Sequence, residues 1–308
     1  MNRLIPSSLL DVFEHRTVAP NVDWRSSAAE LRDVSIRWPI KYEWDAASDW
    51  VEFLKAGFKR YVTVDLVDDI AQAYKGTVVF EIVISGRPRL VAVGYSDYLP
   101  IDEDCARQCD LYFKMQYDAN GYAAPNVVPG GYVADGKRLY RRLNKLRKLR
   151  DQRAYSNDVT GRFGLAYARE IREKATGMLI AQHRFGFEGG MNPIAYAEFL
   201  NEIAHSRICI DLPGLGPFCF RLINYLAIGS CVVAYPHTAQ MHVPLVDRRH
   251  IVYCKPDMSD LVELCEYYLA HDDEREQIAL NARDFFDRYL HKENLVRYYL
   301  RTCLDRLS

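Results

Sequence analysis

No stretch of this chain comes near the roughly 18 to 20 consecutive apolar residues that a membrane-spanning helix needs, and the opening residues, MNRLIPSSLLDVFEHR, lack the apolar centre of a secretion signal. A cytoplasmic location is the expectation. Excess charge of either sign is also missing: 40 Lys and Arg stand against 41 Asp and Glu, a formal net charge of −1. No molecule-wide field draws in nucleic acid, so any polyanion site must be local. The 8 cysteines show no zinc-like spacing. Cys105 and Cys109 share a helix face, but no second Cys or His pair adjoins them. Cys209, Cys219, Cys231, Cys254 and Cys265 lie in apolar stretches and read as small, reduced core residues. Absent too are a phosphate-binding P-loop, a dinucleotide fingerprint, a nucleophile elbow and a convincing Asp-x-Asp pair. Asp68 and Asp69, next to Asp65, read instead as the acidic first turn of a helix over 67–74. No metal is expected.

What is present is a core. With 49% hydrophobic and 26% charged residues over 308 positions, the chain is globular and long enough for two domains. The pattern after 207 is the clearest: a buried strand over 207–212, a Pro/Gly loop over 213–217, a helix over 218–228, a glycine stop, and a second buried strand over 231–235. In such a βαβ unit the small loop residues let backbone approach a bound group, and the helix aims its free N–H groups at it. Gly214, Leu215, Gly216 and Pro217 lie in that loop, Phe218 opens the helix beside the bound group, and Arg221 adds a guanidinium fork matched to paired phosphate oxygens.

The fuller run, SRICIDLPGLGPFCFRLINYLAIGSCVV, resembles the donor-binding unit of GT-B glycosyltransferases, in particular the exostosin-like and family 1-like ones. The similarity continues through a short strand at 250–253, a helix over 258–270 and a helix over 273–289, and covers residues 155–290. Many retaining enzymes of this kind carry a glutamate on the first of these helices; the comparable residue here is Asn224. The resemblance implies two Rossmann-like domains facing a cleft, and a UDP-sugar or GDP-sugar as co-substrate. It also implies metal-independent transfer of the sugar to an acceptor hydroxyl. The acceptor domain would span 1–153 and the donor domain 154–290, with a hinge near 150–156, and a helix over 291–308 would cross back, burying Leu295, Tyr299, Leu300 and Cys303. A non-catalytic nucleotide-binding or interaction protein that keeps this fold is the alternative.

The first half reads less regularly: a helix at 8–15, another at 26–31, a strand at 34–42, and a helix at 48–56 burying Trp50, Phe53 and Leu54. Strands follow at 61–66, 77–84 and 90–94, the last two forming either a hairpin or a shortened α/β connection, then a helix at 102–109 and a strand at 111–116. Polar residues at strand ends are where open α/β sheets bind ligands. Asp97 and Asp118 are therefore the two candidates for a general base, and Lys114 and Tyr117 for contacts to the acceptor. In the second half a strand is expected over 155–160, with Gly161 and Arg162 after it facing the leaving diphosphate. A helix over 165–175 and a strand over 178–182 would then carry His183 and Arg184 to the donor, and His237 follows the strand at 231–235.

The sharpest charge feature is KRLYRRLNKLRKLRDQR, a helix over 137–153 with one narrow stripe, Leu139, Leu143, Leu146 and either Leu149 or Arg150. Residues 137–150 hold eight Lys or Arg and no acid. Arg141, Arg142 and Lys145 are candidates to meet a polyanionic acceptor, either nucleic acid or an anionic lipid or glycan; acidic neighbours in the fold are the third possibility.

Overall fold

The computed structural model describes residues 24–133, 136–164 and 166–308, with backbone alone at 136 and 137. The helix expected at 8–15 lies outside them. The first half begins with a short helix, α1 (Ala28–Leu31), and builds one six-stranded sheet. Its strands are β1 (Val34–Pro39), β2 (Thr63–Val67), β3 (Thr77–Ile84), β4 (Arg87–Gly94), β5 (Leu111–Lys114) and, after a two-residue β6 (Tyr117–Asp118), β7 (Val127–Pro129), in the order β2-β1-β3-β4-β5-β7, with another short helix, α3 (Glu103–Gln108), between β4 and β5. The sheet is mixed, because β3 runs antiparallel to both β1 and β4 while the other pairs are parallel. The β3–β4 connection is a hairpin. Ser85 and Gly86 have φ of 50° and 77°, the left-handed pair that a two-residue turn between twisted strands requires.

The second half is parallel throughout: β8 (Asn157–Arg162), β9 (Phe187–Gly190), β10 (Ser206–Asp211), β11 (Cys231–Ala234) and β13 (Val252–Tyr253), ordered β13-β11-β10-β8-β9. Around it pack α5 (Arg169–Ala181), α6 (Tyr196–Ala204), α7 (Phe220–Ile228), α8 (Leu261–Ala270) and α9 (Asp272–Phe285). The chain therefore has two α/β units, as the resemblance implies. Its last helix, α10 (Lys292–Leu307), lies on the first sheet, where Tyr299 stacks on Phe113 with ring centroids 4.1 Å apart. Leu295, Tyr299, Leu300 and Cys303 are all buried. On its other side α10 meets α2 (Ser48–Phe58) at Gly57, where an added Cβ would lie 2.2 Å from Val296 Cγ2. On α2 the fully buried positions are Val51 and Leu54, with Phe58 beside them; Trp50 and Phe53 are only partly covered.

One apolar core runs from the first sheet through α7 and α9 to α10. Across the seam β6 pairs antiparallel with β12 (Ala239–Gln240), Asp118 facing Ala239 and Tyr117 facing Gln240. The basic helix α4 (Gly136–Asp151) bridges the halves with Leu139, Leu143 and Leu146 inward. Two of its cations also turn inward. Arg147 donates to the Ala227 carbonyl at 2.8 Å and pairs with Asp287 at 2.7 Å, and Arg150 holds the carbonyls of Ser206 and Arg207 while lying over the Tyr155 ring.

Two expected elements differ. Residues 68–76 form a loop, not a helix, because Arg37 ties Asp69 and Glu81 together, and the Gln72 amide both donates to and accepts from the Val79 backbone at 2.7 and 3.1 Å. Residues 178–181 continue α5 instead of forming a strand, and the edge strand β9 comes later, at Phe187–Gly190.

Buried histidines make the fold acid-sensitive. Burial pushes His250, packed on Phe285, down to about 4, and His242, stacked on Tyr298 at 4.2 Å, down to about 3. Each contributes its full stability above the unfolded histidine value of about 6.5 and loses it as pH falls toward the folded value, because the unfolded chain takes up the proton first. At pH 5 His250 alone should cost about 2 kcal/mol relative to pH 8, with His242 acting in the same direction. Urea unfolding at both pH values checks this. A His250→Gln variant should show a visibly flatter acid slope, and an unchanged slope would remove His250 as its cause.

Candidate functional site

In the second sheet the chain starts at β8, steps to one side for β9, then returns to the other side for β10, β11 and β13. The reversal leaves a crevice at the carboxyl ends of β8 and β10, the switch point at which open α/β sheets bind ligands. Two arginines pin the loops there. Arg172 on α5 donates to the carbonyl of Pro213 at 2.9 Å and to that of Gly164, so one guanidinium spans both loops. Arg221 on α7 donates to the Leu212 carbonyl at 2.8 Å and lies 5.3 Å over the Phe163 ring.

Both side chains are enclosed, with residue exposures of 3% for Arg172 and 7% for Arg221. Burial, and after it the neighbouring Arg221 charge, pull Arg172 below the usual guanidinium range. Among the described residues the carboxylate acting on both is Asp211, fully buried at the end of β10. Buried cations are costly unless paired. Two guanidiniums against one carboxylate leave a surplus positive charge, and the Arg221 Nε has no partner in the fold. An anion in the crevice would offset that surplus charge.

The first half closes over the same loop. The Gln116 amide donates to the Phe218 carbonyl at 2.9 Å and accepts from the Phe218 N–H at 3.1 Å, a two-point clamp on the loop. Asp97 accepts from Gln116 at 3.3 Å and from the Tyr132 hydroxyl at 3.1 Å. Gly216 fits against them only because it has no side chain: a Cβ there would lie 2.4 Å from the Asp97 carbonyl oxygen. Lys114, 1% exposed, donates to the Ser96 carbonyl at 2.8 Å, and burial lowers its ammonium to about 8 despite the opposing pull of Asp97. On the far side of Phe218, whose ring meets His237 at 4.9 Å, His237 Nε2 faces Asp211 at 3.3 Å.

Asp97, Lys114, Gly214, Leu215, Gly216, Pro217, Phe218, Arg221 and His237 thus lie in or around one crevice. Other candidates do not reach it. Asn224 is wholly buried on α7, where its Oδ1 accepts from Tyr196. Gly161 and Arg162 are the last residues of β8, at the rim of the crevice, but the Arg162 guanidinium is turned aside by Glu202, which takes its Nε at 2.9 Å, and by Glu188 at 2.7 Å. Because α5 runs on to Ala181, His183 and Arg184 fall before β9, at the opposite edge of the sheet, where Arg184 pairs with Glu266. The Asp118 carboxylate caps a turn by accepting from the Asn120 N–H at 2.8 Å, and Tyr117 packs on Tyr122. Arg141, Arg142 and Lys145 are exposed on α4; Arg142 shares a cavity with Ser156, Asn157 and His205, at the amino ends of the strands. Among the described residues no group of three or more His, Cys, Asp or Glu is placed to hold a metal ion.

Residues 143–301 match the family model described as glycosyl transferase-like. The chain belongs to the glycosyl transferase-like family. The matched span holds the crevice, both arginines and the loop between them, while Asp97, Lys114 and Gln116 lie outside it. No curated protein matches the chain. Among solved structures this glycosyl transferase-like chain is similar to Anabaena HepE in complex with UDP, at 15% identity and a TM-score of 0.43 over 66% of each chain. HepE with UDP and glucose gives 14% and 0.42, over 66% of this chain and 65% of that one. A glycosyltransferase from Rickettsia africae gives 10% identity and a TM-score of 0.43, over 71% of this chain and 70% of that one. The chain thus spans about two thirds of the length of these structures.

Three residues of the site were not nominated from sequence, Arg172, Asp211 and Tyr132, while Gln116 was legible only as one of the polar groups that end the strand at 111–116. Only Asp211 carried a signal strong enough to use, as an ionisable residue closing the otherwise apolar strand ICID.

Proposed function

We propose that this protein transfers a sugar from a nucleoside diphosphate sugar to an acceptor hydroxyl. In this reading the donor is bound by the half spanning 154–290 and the acceptor is met by the half spanning 1–153. The observation that carries it is the pair of buried guanidiniums, Arg172 and Arg221, beneath the G-L-G-P loop with Asp211 as their shared carboxylate. Two fixed cations next to a small-residue loop match a diphosphate, and they stabilise the negative charge that develops as it leaves. The same two charges can do this without a metal ion.

The test is a thermal-shift screen with UDP, GDP, CDP, ADP and their sugars, followed by hydrolysis of whichever sugar nucleotide binds. A diphosphate should raise the melting temperature where the nucleoside alone does not. If every diphosphate leaves it unchanged at millimolar concentration, the reading is wrong. Binding without any release of sugar would instead identify a nucleotide-binding protein that keeps the fold without turnover.

A further inference from the structure

Next to the arginine crevice is a half-open pocket of about 310 Å³, lined by Phe218, His237, Met241, Leu245 and Tyr253 among others. Its walls are mainly aromatic and aliphatic. Three polar groups form a chain along one side of it. Asp211 Oδ2 lies 3.3 Å from His237 Nε2, and His237 Nδ1 lies 3.0 Å from the Tyr253 hydroxyl. Asp211 is wholly buried and its Oδ1 has no partner, and the His237 side chain is 5% exposed. The chain thus begins at the carboxylate that the two arginines share and ends at a tyrosine hydroxyl in the wall of the pocket.

Chemistry fixes its direction. An ionised carboxylate accepts only, so His237 must donate from Nε2; a neutral imidazole is then an acceptor at Nδ1, and the Tyr253 O–H donates to it. The Tyr253 oxygen keeps lone pairs for a further donor. Resting on the proposed sugar transfer, we infer that Asp211, His237 and Tyr253 form a proton relay and that the pocket they border, lined wholly by the half spanning 154–290, receives the reacting end of an acceptor whose remainder meets the half spanning 1–153, a hydroxyl carried on a group with an apolar face such as a sugar ring.

In the step, the acceptor oxygen forms a bond to the anomeric carbon as the bond from that carbon to the diphosphate oxygen breaks. The diphosphate leaves with the electron pair toward Arg172 and Arg221. The acceptor proton passes to Tyr253 Oη while the tyrosine's own proton passes to His237 Nδ1. The imidazolium so formed is stabilised by Asp211, the role of an orienting carboxylate behind a histidine base. Burial, and after it the charges of Asp211 and Asp247, hold the Tyr253 phenol well above its ordinary range, so it stays protonated and conducts the proton instead of storing it. The titratable groups facing the relay are Asp211 from β10, Tyr253 from β13, and Asp247 in the loop before it, whose carboxylate accepts from the Tyr253 N–H at 2.9 Å.

The experiment uses the full chain with whichever sugar nucleotide binds, water or a simple glycoside serving as acceptor. Tyr253→Phe should lower turnover by about 100-fold while leaving diphosphate affinity within about threefold of wild type. His237→Asn should lower turnover by a similar factor. If both variants keep turnover within about threefold, the relay is wrong although the protein remains a transferase. Independent of turnover, 15N spectra of labelled histidine should show neutral His237 protonated at Nε2, with the Nδ1 signal moving in Tyr253→Phe. The opposite tautomer overturns the relay whether or not sugar is transferred. Failure of all diphosphate binding, by contrast, counts against the donor site.

Discussion

Arg221→Ala is expected to weaken diphosphate binding by about 30-fold to 1000-fold, the roughly 2 to 4 kcal/mol that a lost charge-assisted fork contributes at an enclosed anion site. Titration calorimetry with the diphosphate identified by the screen measures it directly. Arg221 also holds the Leu212 carbonyl, so part of any loss could come from a loosened loop, and Arg221→Lys separates the two. Lysine keeps the charge but not the planar fork, so it should recover some affinity if the anion is the partner that matters. If both variants bind the diphosphate as wild type does, Arg221 is a loop staple and the anion site is elsewhere. Arg172→Ala should behave similarly, with a larger loss of stability, because its guanidinium joins two loops.

Gly216→Ala carries the other large effect. The new methyl would sit 2.4 Å from the Asp97 carbonyl oxygen and 2.6 Å from the Gln116 amide nitrogen. The first of these is backbone and cannot swing aside. The loop must lift away from the first half, breaking the Gln116 clamp on Phe218. Overpacking of this kind costs about 1 to 3 kcal/mol of stability, and with the loop displaced, sugar-nucleotide turnover should fall by about 100-fold or more. Gly177→Ala is the matched control. That glycine lies within α5 with nothing inside 4 Å of the added carbon, so the change should stabilise by about 0.5 to 1 kcal/mol and leave turnover alone. Equal behaviour of the two variants would show that the contact between the loop and Asp97 is of no consequence.

The unit from β10 to β11 could be read from sequence because every signal agreed. A continuous apolar strand, a Pro/Gly loop, an apolar helix and a stop at Gly229 with φ of 90° point to one conformation. The run MLIAQ offered no such agreement. Five residues without periodicity fit a buried strand or the last turns of a helix equally well, and only packing against the sheet decides. That one ambiguity moved His183 and Arg184 to the wrong edge. Arg162 was misplaced for another reason: Glu188 and Glu202, which hold it, are 26 and 40 residues away, a distance over which charge pairing leaves no local pattern. Arg172 was overlooked on the same ground, since its acceptors are backbone carbonyls, which any sequence supplies. On α4 the excess of basic residues was plain, but that Arg147 and Arg150 serve Asp287 and backbone carbonyls could be seen only in three dimensions.

The β6–β12 pair gives the molecule a fixed gauge. Strand hydrogen bonds and the Ala119 N–H to Thr238 carbonyl bond at 2.9 Å cross from one half to the other directly beyond His237, and swinging the halves apart like book covers would have to break them. In the proposed transfer a substrate would then meet a gap whose width is set before it arrives. Acceptors would be sorted by length, as by a calliper locked at one setting: a hydroxyl held too short or too long of Tyr253 could not be brought into line by closing the jaws further. Under that proposal, exchanging one acceptor for another means resetting the gap, and Ala119 and Thr238 are among the residues that set it.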